Sequence, residues 1–181
     1  MRRTTGWMLS GALLGLAVFV ADVGAAEHKL SGDNTKIEFL GTKSDGKHAG
    51  SFPKLSGTFD LADDVTKSKI TVKIDVEALE SDDPKLTGHL KSPDFFEAQK
   101  YPEAKFVSKG IKKDKDGFTV TGDLTMRGKT KEISFPAKIA KADGIATLSS
   151  EFKINRSDWG MTYGAGKIDE AVKLTIDVKA K

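Results

Sequence analysis

From about residue 37 onward, apolar side chains recur at every second position, with charged or hydroxyl residues between them. This period of two limits the fold more than any other feature, because successive side chains of an extended strand point to opposite faces. Ile70, Val72, Ile74 and Val76 alternate with Thr71, Lys73 and Asp75. Phe118, Val120, Leu124 and Met126 alternate in the same way, with Gly122 completing the inward row, and so do Val172, Leu174, Ile176 and Val178. Shorter rows run through Leu55, Phe59 and Leu61, through Ile133, Phe135, Ala137 and Ile139, and through Leu148, Phe152 and Ile154. Ile37 and Phe39 begin another, and a strand from Ala104 to Ile111 has no clear inward face. That makes about eight strands, joined by Asp-, Gly- and Lys-rich turns such as Lys113 to Gly117 and Ala142 to Gly144. Pro136 falls on an outward row and predicts a bulge or an unpaired position there.

Only Pro84 to about Lys91 reads as helix, with Pro at the first helical position and Asp82 and Asp83 beside the N-terminal dipole. One short helix cannot cover a large sheet, so the sheet must close on itself. The predicted fold is all-β, an eight-stranded antiparallel β-barrel with one short helical excursion. A barrel of this size holds either side chains alone or one small ligand.

The same alternation could face lipid, as in an outer-membrane barrel. The strands are too short for that, Trp159, Tyr101 and Tyr163 are too few for two aromatic girdles, and the chain closes on the polar Lys179-Ala180-Lys181. Export is nevertheless indicated. Arg2 and Arg3 precede the apolar run Trp7 to Ala21 and the small residues Gly24-Ala25-Ala26, which predicts a signal peptide over residues 1–26, cleaved near Ala26-Glu27. The mature domain is then 27–181, periplasmic or secreted, with no stable membrane insertion. The run is too short to span a bilayer as an uncleaved anchor. There is no cysteine, which removes thiolate chemistry, disulfides and a lipoprotein anchor. The net charge of +3 is nearly balanced and evenly interleaved, which argues against a nucleic-acid partner.

If consecutive strands run antiparallel, alternate connections share one end of the barrel. Short turns fall at one end: Ala62 to Ser68, Lys113 to Gly117 and Ala140 to Gly144. The other receives a Gly-rich loop from Lys43 to Pro53, the helical excursion Ala78 to Pro102, the turn Arg127-Gly128-Lys129 and the connection Asn155 to Asp169. The only two arginines of the mature chain, Arg127 and Arg156, fall at this elaborate end with His48 and His89. This predicts a mouth at which His48, His89, Arg127, Arg156 and Trp159 meet a polar or anionic head group. Alternatively, the arginines pair with carboxylates such as Asp158 and pin the loops. The inward rows predict a lumen wall of Phe39, Phe59, Val72, Ile74, Phe106 and Phe118, continued by Val120, Leu124, Phe135, Phe152, Leu174 and Ile176. Each of these residues equally fits a filled core.

Three stretches stand out, GHLKSPDFFEAQKYPEAKF from Gly88 to Phe106, GDLTMRGKT from Gly122 to Thr130, and INRSDWGM from Ile154 to Met161. Together they resemble the YceI family of periplasmic lipid- or polyisoprenoid-binding proteins. The likeness runs in order through essentially the whole mature chain, although DGKHAGSF and SDDPKL look like a subgroup variant. The resemblance implies a lipocalin-like barrel whose lumen holds an isoprenoid, an isoprenoid quinone or a similar long-chain lipid. It further implies a role in storage, transport or stress response, and it carries no catalytic residue and no cofactor. Burying about ten methylenes gives roughly 8 kcal/mol before association costs, so micromolar binding needs no special residue.

An enzymatic reading lacks its chemistry in the sequence. No G-x-S-x-G elbow or phosphate-cradling loop occurs. His48 and His89 lack the spacing of a metal site, so no metal is assigned. Asp114-Lys115-Asp116-Gly117 begins like a calcium loop but lacks the later ligands and reads as a hairpin turn. The alternatives to a lipid carrier are a periplasmic hydrolase or isomerase acting on a lipid, and an adhesion or interaction module with a filled core. A homodimer is plausible for such barrels, though the sequence itself marks no interface.

Overall fold

The computed structural model describes residues 25–181. Of the segment read as a signal peptide, only Ala25 and Ala26 therefore lie within the described residues. The strands in chain order are β1 (Ala25–Ser31), β2 (Thr35–Lys43), β3 (Gly46–Ser51), β4 (Leu55–Ala62), β5 (Lys69–Asp75) and β6 (Glu80–Ser81). The helix α1 (Pro84–Lys91) follows, and then β7 (Glu103–Asp114), β8 (Gly117–Met126), β9 (Lys129–Ala142), β10 (Ile145–Asn155) and β11 (Ala171–Ala180).

All are antiparallel, in the order β1-β4-β5-β7-β8-β9-β10-β11-β2-β3-β6. Counting eleven strands hides a simpler arrangement. β1 and β2 are two halves of one bent strand, and so are β3 and β4. The first pairs with the second along both halves, Ser31 to Ala25 against Ser56 to Ala62 and Glu38 to Lys43 against Ser51 to Gly46. The Phe52 amide also donates to the Ile37 carbonyl at 3.0 Å between the two halves. β11 then pairs with β2, which closes eight strands into a barrel, with β6 an added two-residue rung on β3.

Pro136 marks the corner of this barrel. β9 pairs with β8 through Ala137 and with β10 only from Lys138 onward. The Pro136 carbonyl, turned out of the ladder, accepts from the Ser150 hydroxyl at 2.5 Å. A residue without an N–H is suited to this point, where a strand changes partner.

Two expectations change. The loop expected from Lys43 to Pro53 contains a paired strand, β3, whose Gly-Lys-His-Ala-Gly-Ser sequence has no apolar alternation to reveal it. β1 adds a half-strand whose inward residues are His28 and Leu30. The helix begins and ends as predicted. The Asp83 carboxylate caps it, accepting from the amides of Lys85 at 2.7 Å and Leu86 at 3.3 Å. Asp82 has a different task, described below.

The two ends of the barrel differ in filling. At the end with short turns, Leu61, Val120, Ala146 and Ala180 are fully buried and pack solidly. Gly122, in the inward row of β8, leaves room for the Phe106 ring, which a Cβ there would meet at 2.6 Å. Phe106, Phe135 and Phe152 form an aromatic group at mid-depth, with Phe135 and Phe152 stacked at 4.5 Å. The larger hollow lies toward the loops, and a smaller one continues past the rings to Leu148 and Val178.

Candidate functional site

The hollow consists of two contiguous chambers. The outer one, about 180 Å³, is open at the elaborate end. The inner one, about 80 Å³, lies deeper among Phe59, Phe106, Phe135 and Phe152. Both are walled almost entirely by carbon, so neither suits ordered water, which needs two to four polar partners.

The inward rows supply the barrel part of the wall. Phe39, Ile74, Leu124 and Leu174 line the outer chamber. Phe59, Val72, Phe106, Phe135, Phe152 and Ile176 line the inner one. Phe118 and Val120, predicted for the lumen, line neither chamber. Phe118 adjoins the short turn Lys113 to Gly117, and Val120, fully buried, is the cross-strand partner of Phe135. Alternation identifies a face but not which of its residues reach a cavity.

The roof of the outer chamber comes from the loops and escapes a period-two reading. α1 turns Leu86 and Leu90 inward, four residues apart on one helical face. The segment after it adds Phe95 and Phe96, and the bend between β3 and β4 adds Phe52. The rings of Phe39, Phe52 and Phe96 form a chain with centroids 5.6 and 5.8 Å apart. Met126 and Met161 complete the roof with flexible, polarizable side chains that adapt to irregular apolar shapes. The helical spacing of Leu86 and Leu90 is the one sequence signal that could have found part of this roof.

Arg156 is the charged group most deeply set in the chamber wall, only 5 % exposed. Its Nε donates to the Asp169 carbonyl at 3.1 Å, Nη1 to the Met161 carbonyl at 2.5 Å and Nη2 to the Ile168 carbonyl at 3.1 Å. Its guanidinium also lies 5.9 Å from the centre of the Phe95 ring. All three acceptors are neutral carbonyls. Burial pushes the guanidinium pKa below its ordinary value, partly offset by the field of Glu170. A guanidinium carries five N–H groups, and three carbonyls engage three of them. Arg156 thus ties the Asn155 to Asp169 connection into a ring and retains donor capacity and positive charge at an apolar cavity.

Arg127 does the pinning anticipated for one or both arginines, with different partners. It occupies a positive φ of 48°, followed by Gly128 at 68°, as a two-residue hairpin turn requires. Its Nη1 donates to the Gly160 carbonyl at 2.7 Å, and its Nη2 reaches the Pro93 carbonyl and the Glu97 carboxylate, each at 3.2 Å. Three loops are joined by one side chain, Asp158 takes no part in the pairing, and Arg127 does not line the cavity. Trp159 likewise belongs to the packing and not to the mouth. It is 1 % exposed, and its Nε1 donates to the Leu124 carbonyl at 3.1 Å.

The two histidines are kept apart. His48 borders the outer chamber, and its Nδ1 pairs with the Asp82 carboxylate at 3.0 Å. The other Asp82 oxygen accepts the Ala49 amide at 3.0 Å, and this bond, with the one to His48, holds the Asp82 carboxyl below the usual range. Asp82 therefore clips β3 to the start of the helical excursion. His89 is outside the lining. Its Nε2 pairs with Asp94 at 2.8 Å, and its ring stands edge-on to Phe95 and to the half-exposed Tyr163. Opposite, Thr42 and Asp169 join β2 to the loop before β11 by a 2.5 Å hydrogen bond. No group of three or more metal-ligating side chains occurs among the described residues.

The fold and cavity together define a class: a small antiparallel barrel, closed at one end and roofed by loops at the other, enclosing an elongated apolar chamber with one buried cation in its wall. The chain belongs to the family described as "YceI-like domain", whose model matches residues 28–180. The curated protein YceI of Escherichia coli O17:K52:H18 is 33 % identical over 137 residues, 72 % of each chain. Protein YceI of Salmonella arizonae is 28 % identical over 185 residues, 95 % of each chain. Among solved structures, Burkholderia cenocepacia BcnA matches with a TM-score of 0.74 at 23 % identity, covering 81 % of this chain and 96 % of that one. A polyisoprenoid binding domain from Saccharophagus degradans, implicated in plant cell wall breakdown, matches with a TM-score of 0.67 at 14 % identity, covering 87 % and 99 %. The YceI protein of Campylobacter jejuni matches with a TM-score of 0.61 at 29 % identity, covering 73 % and 84 %.

Proposed function

We propose that this protein is a binding protein, not an enzyme, which holds an elongated amphipathic lipid in the barrel and stores or carries it in the periplasm after export. The observation that carries the reading is the elongated, carbon-walled chamber opening beside the partly engaged guanidinium of Arg156. An apolar tail gains roughly 0.8 kcal/mol per buried methylene, and a polar head group at the opening finds charge and donors on Arg156. The naming of a structural relative as a polyisoprenoid binding domain supports an isoprenoid tail. An isoprenoid quinone fits the same description, because its carbonyl oxygens accept hydrogen bonds.

The test is direct. The exported protein, purified without detergent from the periplasm of its own host, is extracted with organic solvent and the extract analysed by mass spectrometry. A stoichiometric isoprenoid, quinone or comparable lipid is the expected result. Repeated lipid-free preparations that also take up no added lipid would overturn the proposal.

A further inference from the structure

The barrel wall is interrupted on one side. β9 is paired to β8 from Lys129 to Ala137, and β10 is paired to β11 from Ala146 to Asn155. Among the described residues, no backbone pair joins β9 to β10 on the mouth side of Lys138 and Ser149. Extending the register of Lys138 with Ser149 sets Phe135 opposite Phe152, Ser134 opposite Lys153 and Ile133 opposite Ile154. In place of a ladder, the Phe135 and Phe152 rings stack, 4.5 Å apart and 10° from parallel. The seam is tied at its two ends. At the inner end the Ser150 hydroxyl donates to the Pro136 carbonyl, and at the mouth end the Trp159 indole, beyond β10, donates to the Leu124 carbonyl of β8. From Ser150 to Asn155 the seam runs along roughly 17 Å of strand.

Burial follows the interruption. Lys131 and Lys129 stand on the same face of β9 as Phe135 and Ile133, paired with the inward Leu124 and Met126 of β8. Along this row Ala137 and Phe135 are buried, Ile133 is half-buried, and Lys131 and Lys129 are exposed. On β10, Ser150 is buried, and Phe152 and Ile154 are half-buried. Side chains, and not a hydrogen-bonded ladder, close this stretch. The same side chains line the cavity: Ile133, Phe135 and Phe152 the inner chamber, and Ile154 the outer one. Swinging two rings aside breaks no hydrogen bond, whereas parting two paired strands breaks a row of them.

We propose that the β9–β10 seam is a side opening of the ligand cavity, gated by Phe135 and Phe152, through which a lipid tail passes sideways. The proposal rests on the lipid-binding reading above and adds the route. A tail that enters sideways need not be threaded end-first past the loops, so its length sets no limit on entry.

The chain has no cysteine, so a covalent bar can be placed across the seam alone. Ser134 and Lys153 are exposed and lie on the outward rows of β9 and β10. In Ser134→Cys/Lys153→Cys, bismaleimidoethane joins them across the opening without entering the cavity. The probe is all-trans-retinol, a fluorescent isoprenoid alcohol, loaded on delipidated protein and released to excess phosphatidylcholine vesicles in a stopped-flow instrument. The bridged protein releases and takes up retinol at least about tenfold more slowly than the unbridged double variant. Phe152→Ala, which removes half of the gate, speeds uptake and release together. Glu132→Cys/Asn155→Cys, the next outward pair, serves if the first pair does not fold. Three results each overturn the side opening and leave lipid binding standing: release from the bridged protein at the unbridged rate, equal slowing when Ser134→Cys alone carries N-ethylmaleimide, or rates unchanged in Phe152→Ala. Failure of the wild type to take up either retinol or farnesol overturns both the route and the reading beneath it.

Discussion

Replacing Arg156 by Lys keeps the charge and removes the geometry. The guanidinium spans three carbonyls, those of Asp169, Met161 and Ile168, from three separate nitrogens. An ammonium concentrates its donors on one atom and cannot reach all three at once, so at least two acceptors in the wall of the loop lose their partner. Hydrogen bonds to a charged donor contribute about 1.5–3 kcal/mol each, and Lys recovers part of one, which places the loss near 3 kcal/mol. For a domain of this size that corresponds to a fall in Tm of roughly 6–12 °C. Urea denaturation followed by tryptophan fluorescence suits the measurement, since Trp159 is buried in the adjoining turn. The midpoint should fall with an unchanged m-value, as for a native-state defect. A change below about 0.5 kcal/mol, the range of ordinary surface substitutions, would refute the claim that Arg156 organises this end of the barrel.

Three further substitutions probe the account at other depths. His28 is 3 % exposed and neither ring nitrogen has a hydrogen-bond partner among the described residues, so His28→Leu should stabilise by about 1 kcal/mol in urea titration; a loss of stability would show that the imidazole is needed. Gly122→Ala places a Cβ against the Phe106 ring and the Val107 carbonyl and should cost about 2 kcal/mol by the same titration, with near-neutrality contradicting the close approach. The Asp82 carboxyl lies below its ordinary value because it accepts the Ala49 amide and, second, pairs with His48. Its contribution is therefore complete above the unfolded value and lost as pH falls through the lower folded one. Protection of the Ala49 amide against hydrogen exchange should drop selectively below about pH 4 in the wild type, whereas Asp82→Asn should show the reduced protection already at neutral pH. Equal protection in both proteins would remove Asp82 from the clip.

The barrel was legible wherever a strand has one wet and one dry face. β5, β8 and β11 show it in full, and the corner at Pro136 was marked by the missing N–H. β3 was not legible, because its Gly-, Lys- and His-rich sequence forms a strand through pairing with β2 and not through a buried face of its own. β1 was hidden by its place beside the expected cleavage site and by an inward row of only His28 and Leu30. At the site, the rarity of arginine pointed to Arg156, but carbonyl acceptors carry no side-chain signature, so its true partners could not be foreseen. Periodicity placed Phe118 and Val120 on the inward face but could not show that neither lines a chamber, and it was blind to Phe95 and Phe96, which leave no regular row in a loop.

The central claim is that the outer chamber is occupied by a lipid tail. Methyl-labelled protein titrated with farnesol and observed by NMR tests it most directly. The account predicts intermolecular contacts from the prenyl chain to the methyl groups of Leu90, Ile154, Ile168 and Leu174, all in the chamber wall, with the exposed Val107 unaffected. Contacts confined to surface methyls, or no contact with the wall at saturating ligand, would contradict it.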